Sequence, residues 1–90
     1  MRIAIVGLGY VGLPLCLQFA KCGVQVVGLD IDPAKIQAIN AGRSYIKHIE
    51  SAAIKKMVGE GKFSASSDFS MVEDVEAVII CVPTPLNKNR

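Results

Sequence analysis

The stretch "IVGLGYVGLP" (Ile5–Pro14) sets three glycines, Gly7, Gly9 and Gly12, between an apolar run and a helix-like one. Arg2 to Val6 (RIAIV) is a short, β-branched run that ends in Gly7, as a strand buried on both faces does. Leu13 to Cys22 follows as a helix, with Pro14 tolerated in its first turn and Gly23 placed at its end. On that helix Leu13, Leu17 and Ala20 form one apolar row, Cys16 and Phe19 extend it, and Gln18 and Lys21 face away.

Outward from the turn, Gln25 to Asp30 (QVVGLD) reads as a second strand. Asp32-Pro33 then starts a helix, the acid as N-cap and the proline at the first helical position. Ile36 and Ile39 supply the buried side of this helix, and Gly42 stops it. Strand, glycine turn, helix and strand fit in about 30 residues, the length of a right-handed βαβ crossover. The next segment, "RSYIKHIE" (Arg43–Glu50), has no clear period. A helix is expected from about Ala52 to Val58, with Ser51 as its cap and Gly59 and Gly61 breaking it. Phe63 to Ala65 is a weak third strand, and Ser67-Asp68 caps a short helical turn from Phe69 to Val72. Ala77 to Val82 (AVIICV) is the strongest strand, stopped by Pro83-Thr84-Pro85.

Strands alternating with helices define an α/β, Rossmann-like three-layer fold with a parallel sheet in the order 3-2-1-4. That order leaves AVIICV at the sheet edge with unpaired backbone groups, which invite pairing. Either a partner covers that edge or the domain is incomplete; the favoured expectation is the second, residues 1–90 being the N-terminal part of a dinucleotide-binding domain in a longer protein.

Ninety residues bound the chain to one domain at most. Half of them are apolar (51%) and the mean hydropathy is +0.41, which implies that some surface lies against something else. The net charge of +2 has no basic stripe behind it, since Arg43, Lys55, Lys56 and Lys62 are scattered among acids, and no nucleic-acid partner is indicated. No apolar run reaches the roughly 18 residues of a spanning helix. There is no secretory leader pattern either, so the expected compartment is the cytoplasm, with no membrane partner. Cys16, Cys22 and Cys81 form no C-x-x-C pair and sit in apolar runs, as buried reduced thiols rather than metal ligands.

Each glycine of the turn has a physical task. Gly7 allows the tight exit from the strand, Gly9 lets the backbone approach a pyrophosphate, and Gly12 lets helix and strand pack closely. The amides of Tyr10 and Val11 then face the phosphates, aided by about half a positive charge at the helix N-terminus. Tyr10 itself lies over the cofactor or packs as an ordinary aromatic. Asp30, 18 residues after Gly12, ends the second strand, where an acid accepts hydrogen bonds from the adenosine ribose. Ile31, rather than Arg or Lys, follows it, which favours NAD over NADP. Lys35 reaches back to the ribose or stays solvated. Thr84 stands at the carboxyl end of the strand beside the first, where open parallel sheets place their ligand crevice, as a cofactor contact or a turn residue. His48 has no partner His, Cys or paired acid nearby and reads as a surface or locally bonded histidine. No nucleophile with an adjacent base and no carboxylate pair is present, so the chain accounts for binding and not for turnover.

"GLGYVGLPL", "GLDIDPAKI", "NAG" and "CVPTPL", in this order, resemble the N-terminal NAD-binding domain of the UDP-glucose/GDP-mannose dehydrogenase family, over essentially the whole chain. Within it, "SYIKHI" (Ser44–Ile49) is similar to the UDP-N-acetylglucosamine 6-dehydrogenase branch rather than the UDP-glucose branch, which carries a Glu-Pro-Gly type stretch there. The resemblance implies a cytoplasmic enzyme that oxidises the C6 alcohol of a UDP-sugar to a carboxylate in two NAD-dependent steps, for surface-polysaccharide synthesis. It implies NAD contacts on Gly7, Gly9, Tyr10, Val11, Gly12, Asp30, Lys35 and Thr84. The family's catalytic cysteine lies in a Gly- and Phe-Pro-Lys-rich motif far downstream, and Cys16, Cys22 and Cys81 do not match it. Substrate-binding and dimer-forming segments are likewise absent, so the sugar nucleotide and the homo-oligomer expected of the parent engage other residues. Two other classes use a similar fold: a non-catalytic NAD-sensing regulatory domain, and a methyltransferase binding S-adenosylmethionine, which the third glycine disfavours.

Overall fold

A computed structural model describes residues 1–47 and 49–81 of the chain. The elements in order are β1 (Arg2–Val6), α1 (Gly12–Lys21), β2 (Gln25–Leu29), α2 (Pro33–Asn40), α3 (Ser51–Gly59), β3 (Phe63–Ser66), a 3-10 helix (Phe69–Asp74) and β4 (Ala77–Ile80). The four strands are parallel in the order β3-β2-β1-β4, as the alternation of elements predicts. Val6 pairs with Leu29 on one side and Ile80 on the other, so the carboxyl ends of the three central and edge strands finish level with each other.

Strand alternation divides the side chains between two faces. Ile3, Ile5, Val26 and Phe63 turn to the face covered by the helices and pack with Leu13, Cys16 and Leu17 of α1, Ile39 of α2, and Ile54 and Met57 of α3. Phe63, Ile5, Leu13, Ile39 and Ile54 are among the largest fully buried side chains. Complete burial of such a residue contributes about 1.5–3 kcal/mol, and this face holds most of the core. On the opposite face Ala4, Val27 and Leu29 make a smaller cluster, covered by Met71, Val72 and Val75 from the 3-10 segment. Val78 and Ile80 of β4 extend beyond that cover and are 44% and 68% exposed.

The outer edge of β3 is occupied. Asn40, the last residue of α2, donates its side-chain amide to the Ala65 carbonyl and accepts from the Ala65 N–H, both at 3.0 Å. A side-chain amide thus stands where a fifth strand's backbone would pair.

Several expectations need correction. α1 begins at Gly12 and ends at Lys21, which leaves Cys22 in the connecting turn and exposed rather than buried. Cys16 is buried and Cys81 half-buried, as expected of packed thiols. Asp30 lies just past β2, freeing its side chain for the site. Ser51 does not cap α3: it is the first helical residue, Glu50 stands at the cap without a side-chain bond, and the Ser51 hydroxyl instead accepts the Ser44 N–H at 2.9 Å. β3 runs to Ser66 and the 3-10 helix to Asp74, each slightly longer than its sequence pattern. Asp68 does cap that helix, accepting from Ser70 N–H at 3.1 Å.

Candidate cofactor site

The site lies at the carboxyl ends of β1, β2 and β4. Gly7 has φ +98° and donates its N–H to the Leu29 carbonyl at 2.7 Å, so the chain leaves β1 by a turn that only glycine takes without strain. At Gly12 the constraint is contact: a Cβ there would stand 1.7 Å from the Gly7 carbonyl oxygen. Gly9 differs from both. It avoids left-handed backbone, and among the described residues, its two chain neighbours aside, a Cβ added to it would meet no atom within 4 Å. The described residues have no steric use for glycine at this position, whereas a ligand seated against the backbone does.

Beyond Gly9 the turn opens to solvent, with Tyr10 75% and Val11 68% exposed. Tyr10 is therefore no packing aromatic of the core. Val11 stands at the N-cap of α1 with no side-chain bond, and the first turn of the helix carries no acid. These features fit an anionic group, which takes up N–H donors and the positive end of the helix dipole. Leu8 takes the opposite course: its side chain is fully buried beneath the turn. It lies over Gly28 in β2, where an added Cβ would come within 2.6 Å of Leu8 Cδ2. Gly28 was legible only as a glycine inside a strand, the usual sign of a close approach.

Asp30 is tied into the turn. Its Oδ2 accepts the Leu8 N–H and its Oδ1 the Asp32 N–H, each at 2.9 Å. A carboxylate has about four acceptor sites, so both oxygens keep capacity for the hydroxyls of a ribose. Partial burial raises the Asp30 pKa, but the Leu8 and Asp32 amides, the Lys35 charge and the Ile31 amide outweigh it and hold it below the ordinary carboxylate value. Asp32 has the structural task expected of it, accepting the Ala34 N–H at 2.9 Å as the N-cap of α2. Lys35 Nζ lies 5.9 Å from the centroid of the Tyr45 ring. Asp32, Ala34, Lys35 and Tyr45 line a shallow groove of about 220 Å³ next to Asp30.

The structure thus brings Gly7, Gly9, Tyr10, Val11, Gly12, Asp30 and Lys35 to one end of the sheet. Thr84 and His48 lie outside the described residues. Tyr45 has no signal in the sequence, because its segment is aperiodic. Cys16 is no nucleophile: burial, then the neighbouring Cys81, pushes its thiol far up. Among the described residues no group of three or more His, Cys, Asp or Glu side chains is placed to hold a metal ion. No helix there is long and apolar enough to cross a membrane.

A parallel sheet with a glycine turn under an uncapped helix N-terminus, and an acid from the next strand bonded into that turn, defines a dinucleotide-binding domain. Residues 1–90 match the model of the UDP-glucose/GDP-mannose dehydrogenase family, NAD binding domain. The chain belongs to this family, and its cofactor is NAD. It is 40% identical over 88 residues to the UDP-N-acetyl-D-mannosamine dehydrogenase of Pyrococcus horikoshii, covering 97% of the chain and 21% of that relative. The protein of the same name in Escherichia coli K12 is 37% identical over 83 residues, 92% of the chain and 19% of the relative. Among solved structures, a ternary complex of GDP-mannose dehydrogenase from Pseudomonas aeruginosa superposes with a TM-score of 0.92 at 38% identity. The match covers 99% of the chain and 21% of that structure. The chain spans about a fifth of the length of these two curated relatives.

Proposed function

We propose that this chain holds NAD for a nucleotide-sugar 6-dehydrogenase, with Gly7, Gly9, Tyr10, Val11 and Gly12 on the pyrophosphate, Asp30 and Lys35 on the adenosine ribose, and Thr84 as a further contact. The observation that carries this assignment is the 2.9 Å bond between Asp30 and the Leu8 amide, which makes the ribose acceptor and the phosphate turn one unit. The parent enzyme oxidises the C6 alcohol of a UDP-sugar to the carboxylate in two steps, each passing one hydride to NAD and releasing protons, with one water consumed only in the second, aldehyde-to-carboxylate step. Bound NAD supplies the hydride acceptor; the chain's own residues bind and orient it. The names of the relatives and the likeness of Ser44–Ile49 to the UDP-N-acetylglucosamine branch support a 2-acetamido sugar as the substrate. The family resemblance supports a cytoplasmic homo-oligomer working in surface-polysaccharide synthesis, with residues 1–90 as the N-terminal part of its NAD-binding domain.

Titration of the chain with NAD and NADP, followed by calorimetry, tests the site. NAD is expected to bind more tightly, because Asp30 repels a 2′-phosphate. Asp30→Ala is expected to weaken NAD by about 10- to 100-fold, the worth of hydrogen bonds to a charged acceptor, and to narrow the gap to NADP. Tighter binding of NADP, or an Asp30→Ala chain that binds NAD unchanged, would remove Asp30 from the site. The ninety residues alone are expected to form no NADH from UDP-sugars.

A further inference from the structure

Leu8 sits between Gly7 and Gly9, where two glycines leave the flanking peptide planes free to reorient. The structure restrains it from both ends. Its N–H donates to Asp30, and its carbonyl accepts the hydroxyl of Tyr45, from 37 residues further along the chain. Tyr45 also presents its ring to the Lys35 ammonium, 5.9 Å from the centroid, within the reach of a cation–π contact. One side chain from an aperiodic segment thus touches both the phosphate turn and the cation next to Asp30.

We propose that Tyr45 is a positioning residue for the dinucleotide: its hydroxyl fixes the Leu8–Gly9 peptide so that the turn is set before phosphate arrives, and its ring seats Lys35 beside the ribose acid. This inference rests on the turn and Asp30 being the NAD site. The hydroxyl serves as a donor, because burial, then the Asp30 carboxylate, holds the phenol above its ordinary value. The two tasks use different parts of the side chain, so they separate by substitution. Tyr45→Phe removes the hydroxyl and keeps the ring, whereas Tyr45→Ala removes both.

Nuclear magnetic resonance titration of the chain and both variants with NAD, ADP and adenosine tests the proposal. Tyr45→Phe is expected to weaken NAD and ADP by about three- to tenfold, the range of one neutral hydrogen bond, and to leave adenosine within about twofold. Tyr45→Ala is expected to weaken adenosine as well, because Lys35 loses its seat. A folded Tyr45→Phe chain that binds ADP unchanged, or loses affinity for all three ligands equally, would overturn the role of the hydroxyl. A wild-type chain that binds neither NAD nor ADP would instead overturn the site itself, and this inference with it. A second measurement needs no variant: the Gly9 amide of the unliganded wild type should show one rigid conformation by relaxation dispersion. Exchange broadening there that NAD alone removes would show that the turn is not set beforehand.

Discussion

Gly9 and Gly12 are three residues apart in one motif, yet they are glycines for opposite reasons. At Gly12 the crowding atoms belong to the protein, with the Gly7 carbonyl oxygen 1.7 Å from an added Cβ. At Gly9 no atom of the described residues, its two chain neighbours aside, lies within 4 Å of that position. The inner end of the turn is glycine because the fold demands it; at the outer end the described residues make no such demand, which fits a ligand seated there. A motif that reads as one unit in sequence is therefore two units in energy, and the two are separable by experiment.

The largest expected effect is at the inner end. Gly12→Ala drives a methyl group into backbone that cannot yield, and should cost more than about 4 kcal/mol, enough to abolish the thermal unfolding transition of a domain this small. A variant that melts near the wild type by circular dichroism would break the comparison at once. At the outer end, Gly9→Ala should bind NAD at least about tenfold more weakly by calorimetry. It should hold or gain stability, by about 0.4–1 kcal/mol, because the unfolded chain loses freedom while the folded one meets no clash. A loss of stability equal to the loss of binding would merge the two ends again.

The smallest effect concerns Asp30, which belongs to both ends. Its pKa is lowered on folding from an ordinary value of 3.8, so its contribution to stability is complete above that pH and declines as pH falls through the lower folded value. The difference in melting temperature between wild type and Asp30→Asn should be constant above about pH 5 and shrink below about pH 4. A difference that grew on acidification would contradict the bonds from Leu8 and Asp32.

The same division explains what the sequence discloses. β1, the glycine turn, α1, β2 and Asp30 are legible because each signal is local: a β-branched run, glycines at fixed spacing, an acid at a strand end. The sheet order follows from the alternation of strands and helices taken as a doubly wound fold. Asp32 and Asp68 are readable as caps, since their acceptors serve amides two residues away. Tyr45 was not readable, because its partner Leu8 is 37 residues off. Ser51 pointed to the wrong task for the same reason: its hydroxyl answers Ser44, seven residues back in the loop, and not the helix it opens. Cys22, in an apolar run of the sequence, is exposed because α1 ends one residue before it and leaves it in the turn. Asp30 and Ile31 point to NAD, the cofactor of the family's binding domain.

The Asn40 amide makes the two margins of the sheet unequal. Its paired bonds to Ala65 terminate hydrogen-bond propagation on the β3 side, much as a chain terminator ends a polymer. Any further strand has to add beside β4, and the sheet therefore extends as a ladder with one growing end and one sealed end.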